Sequence, residues 1–148
     1  MKQEEILQQV KDGRLSVEEA STLLKGIEDI GYAAIDLSRQ KRNGFPEIIY
    51  GEGKNIEQLI GIITAMNEHK TAILATRVNA EKGEALSLAF PEGVYESLGR
   101  TFVLNPIAPK HEHYIAVVTA GTSDIPVAEE AAVTAETFGN HVKRIYDV

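Results

Sequence analysis

The sequence predicts an α/β protein made of a leading helical hairpin, a small α/β domain and a closing strand–helix–strand unit. Three observations carry this. Apolar residues recur at helical spacing from Ile6 to Ile27. From Glu47 onward, short β-branched runs alternate with helical periods. A stretch with two prolines, Asn105 to His113, separates two such α/β runs and reads as a linker. The expected boundaries are 1–30 for the hairpin, 31–110 for the small domain and 111–148 for the last unit.

Ile6, Leu7 and Val10 form the apolar stripe of a first helix, and Gly13 is placed to end it in a left-handed cap. Ser16-Val17-Glu18-Glu19 matches a capping box, opening a second helix that runs to about Leu24 or Ile27. Residues 31–46 are irregular and contain Arg39, Lys41 and Arg42, the one dense basic cluster. Glu47 to Tyr50 reads as a strand ending at Gly51-Glu52-Gly53-Lys54. Asn55 and Gln58 start another helix, with Ile56, Leu59, Ile60, Ile63 and Met66 in period. Thr71 to Val78 is a buried strand, Asn79 caps a helix to about Leu88, and Pro91-Glu92-Gly93 closes it. Val94–Tyr95 and Thr101–Leu104 are weaker strands. Tyr114 to Thr119 reads as a second buried strand, followed by a helix over 125–138, a Gly139-Asn140 cap and a strand from Val142 to Tyr146. A two-stranded parallel unit cannot bury both its faces alone, so the chain reads as cut short or completed by another chain.

Composition narrows function. The 148 residues carry a formal net charge of -7, no cysteine and no tryptophan. An acidic balance argues against nucleic-acid partners, which need a cationic face. The absence of cysteine excludes a disulfide framework, a thiolate metal site and a cysteine nucleophile on this chain. Neither a targeting peptide nor a bilayer-length apolar run is present, so a cytoplasmic protein with no membrane partner is expected. The four histidines show no metal-ligand spacing.

The sharpest local signal is Thr119-Ala120-Gly121-Thr122-Ser123-Asp124, between a strand and a helix. Small residues there let a ligand approach the backbone, and helix N–H groups favour a phosphate. Gly121, Thr122 and Ser123 are the expected phosphate contacts. Asp124 either caps the helix or serves as a carboxylate for ribose hydroxyls or a hydrated metal ion. Lys54 in the glycine turn, Arg77 at a strand end and Arg42 in the basic cluster are the expected cations. Glu129-Glu130 reads as a solvated helix face.

The run VVTAGTSDIPVAEEAAVTAETFGN, continuing to RIYDV, together with RQKRNGFPEIIYGEGK and ATRV, resembles the LarB-type carboxylase/hydrolases of nickel-pincer nucleotide biosynthesis. The resemblance covers essentially the whole chain. It implies carboxylation of the pyridinium ring of nicotinic acid adenine dinucleotide and hydrolysis of its phosphoanhydride. The implied products are pyridinium-3,5-biscarboxylic acid mononucleotide and AMP, with CO2 or bicarbonate as co-substrate and magnesium assisting. It further implies that residues 111–148 begin a flavodoxin-like, PurE-type domain of a homo-oligomer, octameric at full length. Family members continue for roughly a hundred residues more, about one small domain. That part carries the cysteine implicated in a covalent pyridine adduct. On this resemblance Asp124 is the catalytic carboxylate, and Gly121, Thr122, Ser123, Arg42, Lys54 and Arg77 are substrate contacts. A non-catalytic nucleotide-binding or assembly module and a purine-pathway carboxylase are the alternatives.

Overall fold

A computed structural model describes residues 3–36, 39 and 44–148. It divides into two compact units, Met1–Glu47 and Ile48–Val148.

In the first unit, α1 (Gln3–Lys11) and α2 (Val17–Lys25) form the hairpin. Gly13, at φ 69°, turns the chain out of α1. The capping box at the start of α2 is reciprocal. The Ser16 hydroxyl accepts from the Glu19 N–H at 3.1 Å, and the Glu19 carboxylate accepts from the Ser16 N–H at 2.8 Å. Gly26 then ends α2 in the left-handed region, its N–H donating to the Leu23 carbonyl at 3.0 Å. The chain is thereby released into β1 (Ile27–Asp29), which pairs antiparallel with β2 (Ala34–Asp36). Ile6, Ala20 and Ile35 are the buried core of this unit.

The second unit contains a four-stranded sheet in the order β3 (Ile48–Tyr50), β4 (Ile73–Thr76), β6 (Thr101–Leu104), β5 (Val94–Glu96). β3 and β4 are parallel and joined through α3 (Ile56–Glu68). β6 runs antiparallel to both its neighbours. Asn55 and Gln58 make the second capping box, and Asn79 caps α4 (Ala80–Ala89) through the Lys82 N–H. The strand expected over 71–78 is shorter because Arg77 turns left-handed at φ 55° and ends it. Leu59, Ile63, Ile73, Leu74, Leu86, Phe102 and Leu104 lose nearly all contact with water, each contributing about 1.5–3 kcal/mol of burial.

β7 (Tyr114–Thr119), α5 (Ile125–Thr137) and β8 (His141–Tyr146) form the expected strand–helix–strand unit, with β7 and β8 parallel. Helix α5 also packs on β4 and β6, so it serves two sheets. Gly99 permits this: a Cβ there would lie 2.8 Å from the Glu130 amide nitrogen. The Asn105–His113 stretch has no regular structure but is partly docked. The Ile107 N–H donates to the Thr137 carbonyl at 2.9 Å, and Ile107 packs on Gly139.

The expectation that β7 is a buried strand is corrected. Only Thr119 is buried, while Tyr114, Ile115, Ala116 and Val118 are exposed. Helix α5 covers one face, and β8 is the one strand neighbour of β7 among the described residues. A parallel strand with one bare face and one bare edge stays wet.

Candidate functional site

Beyond Thr119 the chain turns through Gly121, at φ 84° and ψ 149°, into a single 3₁₀ turn, Thr122–Asp124, that leads directly into α5. That backbone angle requires glycine, and a Cβ on Gly121 would meet nothing within 4 Å, so the space above the turn is open. Gly121, Thr122, Ser123 and Asp124 are all exposed. Asp124 holds the N-cap position, but its side chain makes no capping hydrogen bond. The capping role considered for Asp124 is therefore not adopted, and no side chain of the turn closes the positive end of the helix.

The glycine turn after β3 is built differently. Gly51 donates to the Thr76 carbonyl at 2.8 Å, and a Cβ at Gly51 would lie 2.8 Å from that oxygen. Lys54 Nζ donates to the Tyr50 carbonyl at 3.1 Å. Lys82 Nζ donates to the carbonyls of Gly51 at 2.9 Å and Glu52 at 3.1 Å. Two ammonium groups thus clamp three successive carbonyls, and Lys54 uses a donor on its own turn.

Arg77 follows β4 in the left-handed region, where a non-glycine residue carries a strain of order 1 kcal/mol or more. Its Nε stands 3.2 Å from Glu130 Oε2 on α5. Beside it, the Tyr50 hydroxyl donates a very short hydrogen bond to Glu52, which raises the phenol pKa; Arg77 and Glu130 also act on that phenol electrostatically. Lys54 and Arg77 are therefore brought to one end of the β3–β4 pair, past the carboxyl ends of parallel strands. Arg77 meets α5 six residues beyond Asp124, about 9 Å along the helix axis. Arg42 and Lys41 lie outside the described residues, and Arg39 pairs with Glu47 at 3.5 Å.

Sequence reasoning missed Tyr50, Lys82 and Glu130. Tyr50 closes a strand immediately before the glycine turn, a position that signals a ligand-side residue. Nothing local marks Lys82 or Glu130, because their partners are distant in the chain. The paired acids are also not one solvated face: Glu129 is buried and bound by Arg144 and Tyr146.

Among the described residues no three acidic or histidine side chains converge to hold a metal ion. Asp124 is a single carboxylate on its turn, which would hold magnesium only together with substrate phosphates, and no step is assigned to the ion.

Residues 27–106 match the LarB/PurE-like N-terminal domain. The chain belongs to the LarB/PurE-like family. This membership is a carboxylase-family relationship, and its matched region takes in β1 through β6, with Lys54, Arg77 and the clamped glycine turn, but not the Gly121–Asp124 turn. The LarB/PurE-like chain is also similar to an uncharacterized protein of Methanocaldococcus jannaschii, 30% identical over 159 residues. That match covers 97% of this chain and 60% of the relative, so the chain spans about three fifths of the relative's length. Among the described residues, no helix is long and apolar enough to cross a membrane.

Proposed function

We propose that this chain supplies a dinucleotide-binding part of a carboxylase/hydrolase acting on nicotinic acid adenine dinucleotide. The overall reaction is carboxylation of the pyridinium ring by CO2 or bicarbonate and hydrolysis of the phosphoanhydride. It releases pyridinium-3,5-biscarboxylic acid mononucleotide and AMP. Family membership supports the carboxylase class. The observation that carries the substrate is the open start of α5, where Gly121, Thr122 and Ser123 are exposed and no side chain caps the helix.

The chemistry follows from these groups. The Thr122 and Ser123 hydroxyls are the donors for a pyrophosphate oxygen, since the Ile125 N–H already donates to the Thr122 carbonyl and Pro126 has none. That Asp124 is exposed and not engaged in capping supports its role as the carboxylate that orients a water toward the phosphoanhydride. Arg77 is the cation for the second anionic group of the substrate. The flavodoxin-like completion of β7–α5–β8 and assembly into a homo-oligomer belong to the same proposal.

Product analysis tests it. The chain, alone and together with a polypeptide supplying the remaining part of its relative's length, is incubated with nicotinic acid adenine dinucleotide, bicarbonate and magnesium. The expected result is AMP and the bicarboxylated mononucleotide from the combined form. Their absence there, with turnover of aminoimidazole ribonucleotide instead, overturns the assignment.

A further inference from the structure

At the β3–β4 end the Arg77 guanidinium is only partly engaged. Lys54 gives one donor to a backbone carbonyl and Lys82 gives two. Arg144, elsewhere in the unit, makes five hydrogen bonds to Glu129 and Glu136. Among the described residues Arg77 pairs with Glu130, through Nε at 3.2 Å, with 43% of its side chain exposed. Its Nη1–Nη2 end, which can make paired hydrogen bonds to a carboxylate, has no partner among the described residues. The backbone at φ 55° sets where the Arg77 side chain leaves the strand end, and the contact with Glu130 holds its Nε.

An aromatic residue stands on the neighbouring strand. Tyr50 pairs in register with Thr76, the residue before Arg77, and is 54% exposed. Its hydroxyl is tied to Glu52, so the ring is held rather than swinging in solvent. Ile48, on the same face of β3, is 43% exposed and extends the apolar surface.

We infer that Tyr50 and Arg77 form a subsite for a planar aromatic carboxylate, with the carboxylate on the Nη1–Nη2 end of Arg77, the ring against Tyr50, and Glu130 as the competitor that holds Arg77 in place. Resting on the function proposed above, this makes Arg77 the residue that selects the nicotinic acid form over the nicotinamide form. An amide gives the guanidinium no charged partner and brings an NH2 group toward its donors. Glu130 lowers affinity by competing for Arg77, so neutralising it strengthens acid binding.

The test is calorimetric binding of nicotinic acid adenine dinucleotide and nicotinamide adenine dinucleotide to the chain and to Arg77→Gln, Glu130→Gln and Tyr50→Ala. The chain is expected to prefer the acid by about tenfold. Arg77→Gln abolishes the preference with little change for the amide, Glu130→Gln raises acid affinity a few-fold, and Tyr50→Ala weakens both ligands. Equal weakening of both ligands by Arg77→Gln, or no effect, overturns the inference. If neither dinucleotide binds, the parent reading fails, and free nicotinate decides the subsite. Saturable shifts of the Tyr50 ring and Arg77 Nε resonances that vanish in Arg77→Gln uphold it, and their absence overturns it.

Discussion

The carboxylate of Glu129 receives four hydrogen bonds. Three come from Arg144, at 3.0, 2.9 and 2.9 Å, and one from the Tyr146 hydroxyl at 2.8 Å. Arg144 reaches in turn to Glu136 at 2.6 and 2.8 Å. The Arg144 bonds hold Glu129 below its usual 4.5. A depressed folded pKa fixes the sign: the stabilisation is complete above the unfolded value and is lost as pH falls through the folded one. Acid titration of the unfolding midpoint should show this loss, and Glu129→Gln should flatten it below pH about 4.5. Tyr146 moves the other way, pushed up to about 12 by burial first and by its bond to Glu129 second. Its phenolate absorbance should therefore rise near pH 12, in the difference between the chain and Tyr146→Phe. In Glu129→Gln the midpoint should fall part of the way toward 10, because burial remains. None of this is legible at residues 129–130, since Arg144 and Tyr146 lie 15 and 17 positions away on a strand. Adjacent acids on a helix look solvated until the strand that answers them is placed.

Elements whose ends are fixed by local hydrogen bonds were readable, because donor and acceptor lie within a few residues. Ser16 with Glu19 and Asn55 with Gln58 form the expected boxes, and Asn79 caps α4. Ser16→Ala should cost about 1 kcal/mol, read as a lower urea midpoint with unchanged slope. The β1–β2 hairpin escaped notice because strands of three residues carry no periodicity. The candidate site divides along the same line. The Gly121–Asp124 turn is visible as a strand-to-helix junction, and Arg77 as the end of an apolar run. The Arg77–Glu130 contact and the lysine clamp on the Gly51 turn need tertiary structure. Gly51 tests how tightly that turn is held to β4. In Gly51→Ala the new Cβ meets the Thr76 carbonyl, a backbone atom that cannot swing aside. The expected loss is about 1–3 kcal/mol in chemical unfolding.

At the scale of the second unit, α5 decides how far cooperativity extends. One side of this helix packs on β7 and β8 and another on β4 and β6, two sheets that share no strand pairing. The approach is close because the contacting residues are small: Ala132 is fully buried, Ala128 nearly so, and Gly99 admits the helix backbone at Glu130. The β7–β8 pair has little else to rely on, since its other face is exposed at Tyr114, Ala116 and Val118. Two parallel strands are marginal alone, so their stability is borrowed through the helix. Ala132→Leu adds volume where no space exists and should destabilise by about 1–3 kcal/mol. Native-state hydrogen exchange shows where the loss falls. If α5 welds the sheets into one unit, amides of Val117 and Val118 lose protection together with those of Leu74 and Ala75, by the same factor. A loss confined to β7 and β8, with β4 unchanged, would mean that the strand–helix–strand unit opens independently of the four-stranded sheet. Val118→Lys is the control: on the exposed face it should leave exchange at β4 unchanged and move the unfolding midpoint by no more than about 0.5 kcal/mol.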